Sequence, residues 1–183
     1  MRKTKKQVRT EVLRRLNSQA RRKADKKSET IKKKLFSLPE FKKSKIVMLF
    51  ASKNTEVNTY KMIDGALEMG KGVVLPRCTS RGTLVPRQIR NRHKDLEKGA
   101  YGVYEPRRHK HPVRPDKIGL IVVPGVAFDT KKTRIGRGKG YYDRFLKKLP
   151  PGTITIGLAF KFQILVNLPK DSHDISVSKV ITD

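Results

Sequence analysis

Residues 45–75, KIVMLFASKNTEVNTYKMIDGALEMGKGVVL, decide the fold. Residues 45–51 (KIVMLFA) form a short apolar run and read as a buried strand. Asn58 or Thr59 then caps a helix with Met62, Ile63, Ala66 and Leu67 on its inner face. Gly70 suits the position just past a helix end, where glycine takes the left-handed conformation most readily. Residues 73–75 make a second short strand. Strand, helix, strand implies parallel pairing with helices on the sheet faces.

Working outward, residues 1–36 read as helix. Val8, Val12, Leu16 and Ala20 recur every fourth residue, with Leu13 beside them. Ile31 and Leu35 continue the stripe after a polar break near Asp25, and Pro39 ends the helical region. Leu84 and Val85 start an edge hairpin, kept at the edge by Pro86. Pro106, Pro112 and Pro115 mark a loop, and residues 90–117 receive no assignment. Residues 118–123 form the clearest strand. A basic, glycine-rich loop follows over 130–140, then a helix over 141–149 closed by Pro150 and Pro151, and a strand over 153–160. Val177 and Val180 suggest a short final strand. The expected fold is therefore α/β: an open, mostly parallel sheet flanked by helices, with an N-terminal basic helical segment. Ligands of such sheets bind beyond the carboxyl ends of the strands.

The chain has 183 residues and suits one domain. Its apolar runs fall far short of a membrane span. Its start, Met1-Arg2-Lys3, carries no apolar signal core, so no secretory leader is expected. A single cysteine, Cys78, excludes an intrachain disulfide and fits a reducing compartment. Beside Arg77 the thiol has a reactive reading. The preferred reading is a small buried side chain.

Net charge is +28, and residues 1–45 contribute 18 Lys/Arg against 4 Asp/Glu. Two readings account for it: a polyanion partner such as RNA or DNA, or a lysine-rich solvated surface of the kind found in proteins of heat-loving organisms. No aromatic RNA-binding motif, zinc-finger spacing or arginine-rich tail is present. The second reading, with anionic small substrates, is therefore adopted.

The chemistry concentrates in residues 133–143, TRIGRGKGYYD. Gly136, Gly138 and Gly140 alternate with Arg137 and Lys139. Alternating glycines let a backbone approach a ligand with its N–H groups turned inward. Arg134, Arg137 and Lys139 add charge, and arginine holds phosphate through paired hydrogen bonds. The helix expected just after contributes its positive end. These are the parts of a polyphosphate cradle, yet the Walker pattern fails because Gly140 follows Lys139, and the dinucleotide pattern fails on spacing. Asp143 suits either a helix start or a Mg²⁺ ion beside phosphates. Tyr141 is placed to stack on a flat heterocycle, and Tyr142 to pack inward.

Residues 125–146, GVAFDTKKTRIGRGKGYYDRFL, resemble the signature of the 5-formyltetrahydrofolate cyclo-ligase family. The likeness extends over nearly the whole chain, through the N-terminal Lys-x-x-x-Arg, the FAS…EVNT segment, VVLPR and the closing His-Asp pair. The resemblance implies one domain over 1–183, with the helical segment 1–38 packed on the α/β core. It implies conversion of 5-formyltetrahydrofolate to 5,10-methenyltetrahydrofolate with ATP and Mg²⁺, releasing ADP and phosphate. Lys5 and Arg9 resemble an ATP-contacting pair, one turn apart on a helix, with Lys3 and Lys6 as alternatives to Lys5. Arg134, Ile135, Gly136, Arg137, Gly138, Lys139, Gly140, Tyr141 and Tyr142 resemble the ATP loop. Within it, residues 137–141 also resemble the part that touches folate, with Arg137, Lys139 and Tyr141 as the catalytic candidates. Asp143 and Asp174 resemble the Mg²⁺ carboxylates. Glu56 resembles the folate-recognising acid, with Ala51 in the same pocket, and a carboxylate suits the N–H donors of a pterin edge. Arg77 is a weaker candidate for ligand contact. The implied partner is the folate substrate, with polyglutamylated forms favoured by the basic surface. A monomer in the cytoplasm is expected, with no membrane and no specific nucleic acid.

Overall fold

The structure, a computed structural model, describes residues 3–99 and 102–183; Met1 and Arg2 of the leader reading lie outside them. Six strands make the central sheet in the order β11-β9-β6-β1-β2-β3. These are β1 (Ile46–Met48), β2 (Gly72–Cys78), β3 (Leu84–Ile89), β6 (Leu120–Val123), β9 (Ile154–Ala159) and β11 (Lys179–Thr182). All neighbours pair in parallel except β2 and β3, which form the expected edge hairpin. Pro76 and Pro86 face each other across that hairpin.

Alternation along the strands feeds two cores. Val47, Val73, Leu120, Val122 and Ile156 face one side. Met48, Val74, Ile121 and Val123 face the other. Both faces are covered, which is why the parallel strands read as continuous apolar runs. The first face is covered by α1 (Lys5–Ser18), α2 (Arg21–Ser37), α3 (Pro39–Lys43) and α4 (Tyr60–Glu68), through Val8, Val12, Leu16, Ile31, Leu35, Phe41, Met62 and Ile63. The second is covered by Phe128, Val177 and the residues Phe145 and Leu146 of α6 (Tyr141–Leu146).

The N-terminal helix is broken at Gln19 and Ala20, neither of which is helical, rather than near Asp25, which lies inside α2. Pro39 does not end the helical region but begins α3, where its missing N–H carries no penalty. Thr4 and Gln7 form a capping box for α1. At α4 the two candidate caps divide the work: Asn58 Oδ1 accepts from the Tyr60 N–H at 3.1 Å, while buried Thr59 donates to the Phe50 carbonyl. Gly70 has φ +73°, and the Lys71 N–H closes on Ala66 O at 3.1 Å, so the helix ends as expected.

Two small sheets stand at one end. A hairpin of β7 (Ala127–Asp129) and β8 (Arg134–Ile135) carries β10 (Ile164–Leu165) alongside β7. The previously unassigned segment holds α5 (Arg92–Asp95) and the antiparallel pair β4 (Leu96–Lys98) and β5 (Tyr104–Pro106). Among the described residues no helix is long and apolar enough to cross a membrane.

Candidate active site

A cleft of about 500 Å³ opens beyond the carboxyl ends of β1, β2 and β6, where ligands of such sheets bind. It brings together Lys5 and Arg9 of α1, Ala51 and Glu56 after β1, and all of residues 134–143. Asp171, His173 and Asp174 close it from the C-terminal segment, and Val103, Tyr104 and Glu105 from β5 and the residue before it. Of the site residues named from the sequence, all line this one cleft except Arg77 and the two alternatives to Lys5, Lys3 and Lys6. The Arg77 guanidinium instead donates to Glu97 Oε1 and the Pro106 carbonyl, both at 2.6 Å, so its candidacy for ligand contact is withdrawn.

The glycine-rich loop owes its shape to left-handed glycines and to arginines behind it. Gly138 (φ +95°) and Gly140 (φ +67°) take conformations that a side chain would strain. Arg9 Nε donates to the Gly136 carbonyl at 2.9 Å, which locks α1 to the loop. Arg134 is buried; its Nη2 donates to Asp143 Oδ1 at 2.7 Å and its Nε has no partner. It therefore stands behind the cradle as an orienting cation for Asp143. Tyr142 packs inward as expected, with its hydroxyl unpartnered, and burial pushes its pKa up. The helix that follows, α6, has only six residues, so the positive charge here comes from side chains more than from a helix dipole.

Arg144 gave no signal in the sequence. Its Nη2 donates to Gly82 O at 2.6 Å and to Lys139 O at 2.9 Å, and its guanidinium lies 5.4 Å from the centre of the Tyr141 ring. It ties the β2–β3 turn to the loop.

The acids fall into two groups. Glu56 Oε1 accepts from Arg137 Nε at 3.0 Å and Nη2 at 2.7 Å, while Oε2 accepts from the Lys53 N–H at 2.9 Å. The candidate folate acid and a candidate catalytic arginine are thus one ion pair. In the second group, Lys5 Nζ donates to Asp171 at 2.7 Å and also to Asp174. Burial acts to lower the Lys5 pKa, but hydrogen bonds to the two carboxylates outweigh it and hold the pKa above its ordinary value. Burial would raise the Asp174 pKa, yet the Lys5 bond and the Asp171 N–H leave it lowered. The Ile175 N–H donates to Asp143 Oδ1 at 3.4 Å, which tethers the segment carrying Asp174 to Asp143. Asp171, His173 and Asp174 place one donor atom each within 4.8 Å of one another. Carboxylate oxygens are the donors Mg²⁺ takes, so Asp143 and Asp174 fit that ion, with Asp171 as a neighbour the sequence did not single out.

Cys78 lines the cleft and is half-buried, not the fully buried side chain expected. Burial first, then a hydrogen bond to Glu105, pushes its thiol up to about 12.

Fold and cleft together define an α/β protein with an anion-receptive site built on a glycine-rich loop. Residues 1–183 match the model of the 5-formyltetrahydrofolate cyclo-ligase family. A probable 5-formyltetrahydrofolate cyclo-ligase of Schizosaccharomyces pombe is 33% identical over 172 residues, covering 86% of this chain and 84% of that protein. The 5-formyltetrahydrofolate cyclo-ligase of Mus musculus is 28% identical over 196 residues, covering 97% and 92%. The solved structure of Aquifex aeolicus 5,10-methenyltetrahydrofolate synthetase superposes with a TM-score of 0.86 at 34% identity, over 97% of this chain and 88% of that chain. The chain belongs to the 5-formyltetrahydrofolate cyclo-ligase family, and it is an enzyme.

Proposed function

We propose that the cleft binds ATP with Mg²⁺ together with 5-formyltetrahydrofolate, and closes the folate to 5,10-methenyltetrahydrofolate with release of ADP and phosphate. One observation carries this reading. Lys5 and Arg9 of the first helix, the loop 134–143, the carboxylates Asp143 and Asp174, and Glu56 all face a single cleft. Family membership supplies the substrate, since the relatives carry cyclo-ligase and synthetase names.

The formyl oxygen attacks the γ-phosphorus, and ADP leaves with the electrons of the broken P–O bond. The resulting phosphorylated iminium carbon is attacked by the neighbouring folate nitrogen. That nitrogen loses its proton, and phosphate then leaves, giving the methenyl bridge. The nucleophile is the substrate's own oxygen, so the protein's share is positioning and charge stabilisation. Arg137 and Lys139 balance charge on the transferring phosphoryl group, and Tyr141 presents its ring to a flat heterocycle. Asp143 and Asp174 would hold Mg²⁺, which neutralises phosphate charge when bound. Glu56 takes N–H donors of the pterin edge after releasing Arg137 to the phosphates, so binding of the two substrates is coupled through one ion pair.

The test is optical. Protein, MgATP and 5-formyltetrahydrofolate are mixed, and the absorbance of the methenyl product is followed. ATP-dependent formation of product supports the reading. ATP binding by calorimetry without product would overturn the folate assignment and leave an ATP-dependent enzyme acting on another formylated or carboxylated metabolite.

A further inference from the structure

The wall of the cleft that the sequence left unassigned carries a buried acid. In β5 Tyr104 is exposed, whereas Glu105, with 5% of its surface accessible, and Pro106 are buried. The inward position of a short ladder packed on a strand ordinarily holds an apolar side chain. Here it holds a carboxylate that lines the cleft.

The surroundings are built for that carboxylate and leave it uncommitted. A Cβ at Gly99 would sit 2.5 Å from Glu105 Cδ and 2.7 Å from its Oε2, so glycine at 99 clears its place. Arg77 and Arg107, the arginines at this ladder, both go to Glu97, the residue directly opposite. Among the described residues no lysine, arginine or histidine forms an ion pair with Glu105. Its partner is the Cys78 thiol, a weak donor set against a group with about four acceptor positions. The carboxylate therefore faces the cleft with acceptor positions left for a ligand. Glu56, by contrast, already accepts from Arg137 and from the Lys53 N–H.

We propose that Glu105 is a second substrate-recognition residue, whose carboxylate accepts N–H donors from the aminopyrimidine edge of the reduced folate ring. This rests on the reading of the cleft as a folate site. That edge presents an exocyclic amino group with two hydrogens beside a ring N–H, so Glu105 accepts from the amino group while Glu56 takes the ring N–H. The same charge repels the glutamate tail, so Glu105 also sets which end of the folate enters toward β5.

The test is binding of 5-formyltetrahydrofolate in the presence of a non-hydrolysable ATP analogue, whose phosphates take Arg137 from Glu56, by calorimetry, to the unaltered protein and to Glu105→Gln, with ATP binding measured separately. The expected result is a Kd for folate raised about tenfold or more, with the ATP Kd unchanged. A folate analogue lacking the exocyclic amino group supplies the decisive comparison. The unaltered protein should prefer the amino form by about tenfold or more, and the variant should lose most of that preference. A structural role alone would weaken both ligands equally and keep the preference, which overturns the proposal, as does an unchanged folate Kd. Should Glu105→Gln fold poorly, Glu105→Asp keeps the charge, withdraws it from the ligand, and should lose the same preference. Failure of the unaltered protein to bind folate while binding ATP would overturn the folate reading and this inference with it.

Discussion

The Lys5 ammonium donates to the Asp174 carboxylate, joining the first turn of α1 to the C-terminal segment across 169 residues. The same amine holds Asp171 at 2.7 Å. A cation of the protein therefore sits among the carboxylates proposed for Mg²⁺, and it must turn away if it is to meet phosphate. Replacing it should move two affinities in opposite directions. Lys5→Met should tighten Mg²⁺ binding in the absence of nucleotide, because Asp171 and Asp174 lose their counter-ion, and should weaken ATP binding about tenfold. Calorimetry with Mg²⁺ alone and with ATP alone checks both. Parallel changes would mean that Lys5 does not compete with the metal.

Glycine at 140 and charge at 139 should each matter to the loop. Gly140 has φ +67°, and a Cβ there would lie 2.7 Å from Arg144 Nη1. Gly140→Ala should cost roughly 1–2 kcal/mol in local strain, displace Arg144 and raise the KM for ATP. Lys139→Ala should lower kcat/KM for ATP by about tenfold or more while the thermal midpoint stays put. An unchanged kcat/KM in the second variant would remove Lys139 from the phosphate cradle.

Cys78 should be slow to alkylate. With the thiol pushed up to about 12, very little thiolate exists at mildly alkaline pH. Iodoacetamide should label the native protein far more slowly than the protein unfolded in urea. Rapid native labelling would show that the Glu105 contact does not form in solution.

Asp95 should govern acid stability of the β4–β5 wall. Its Oδ2 accepts from the Arg90 and Asn91 N–H groups at 2.7 and 2.9 Å, and Lys110 Nζ lies 2.5 Å from Oδ1. Burial acts to raise its pKa, but these bonds outweigh burial and leave it lowered. A depressed carboxyl pKa stabilises the fold above the unfolded value of ~3.9 and ceases to do so as pH falls through the folded value. Asp95→Asn should therefore cost roughly 1–3 kcal/mol at neutral pH, and the gap to the unaltered protein should narrow as pH falls below the unfolded value and through the lowered folded one. Urea unfolding across this range measures it; a gap independent of pH would assign the effect to geometry instead of charge.

Local pattern explains what could be read in advance. The strand runs, the helix ending at Gly70 and the loop from Thr133 to Asp143 are each specified by neighbours in sequence, through periodicity, glycine conformation and spacing. The region 90–117 resisted because its elements are short and polar, with strands of three residues that carry no usable period. Arg77 was misjudged as well. Its candidacy came from the resemblance alone, and only the packing of β5 shows that Glu97 and Pro106 take its guanidinium.

What the sequence by itself determined is the parallel α/β architecture and the basic glycine-rich loop, since both follow from local apolar period and local backbone freedom. What only the tertiary structure decided is which charges meet. Glu56 finds Arg137 across 81 residues, Lys5 finds the acids of the tail, and Glu105 turns inward to face the cleft. Charged side chains have no sequence period that names a partner; the order in which strands assemble brings them within a few ångströms, and at that range Coulomb attraction and hydrogen bonding select the pairs.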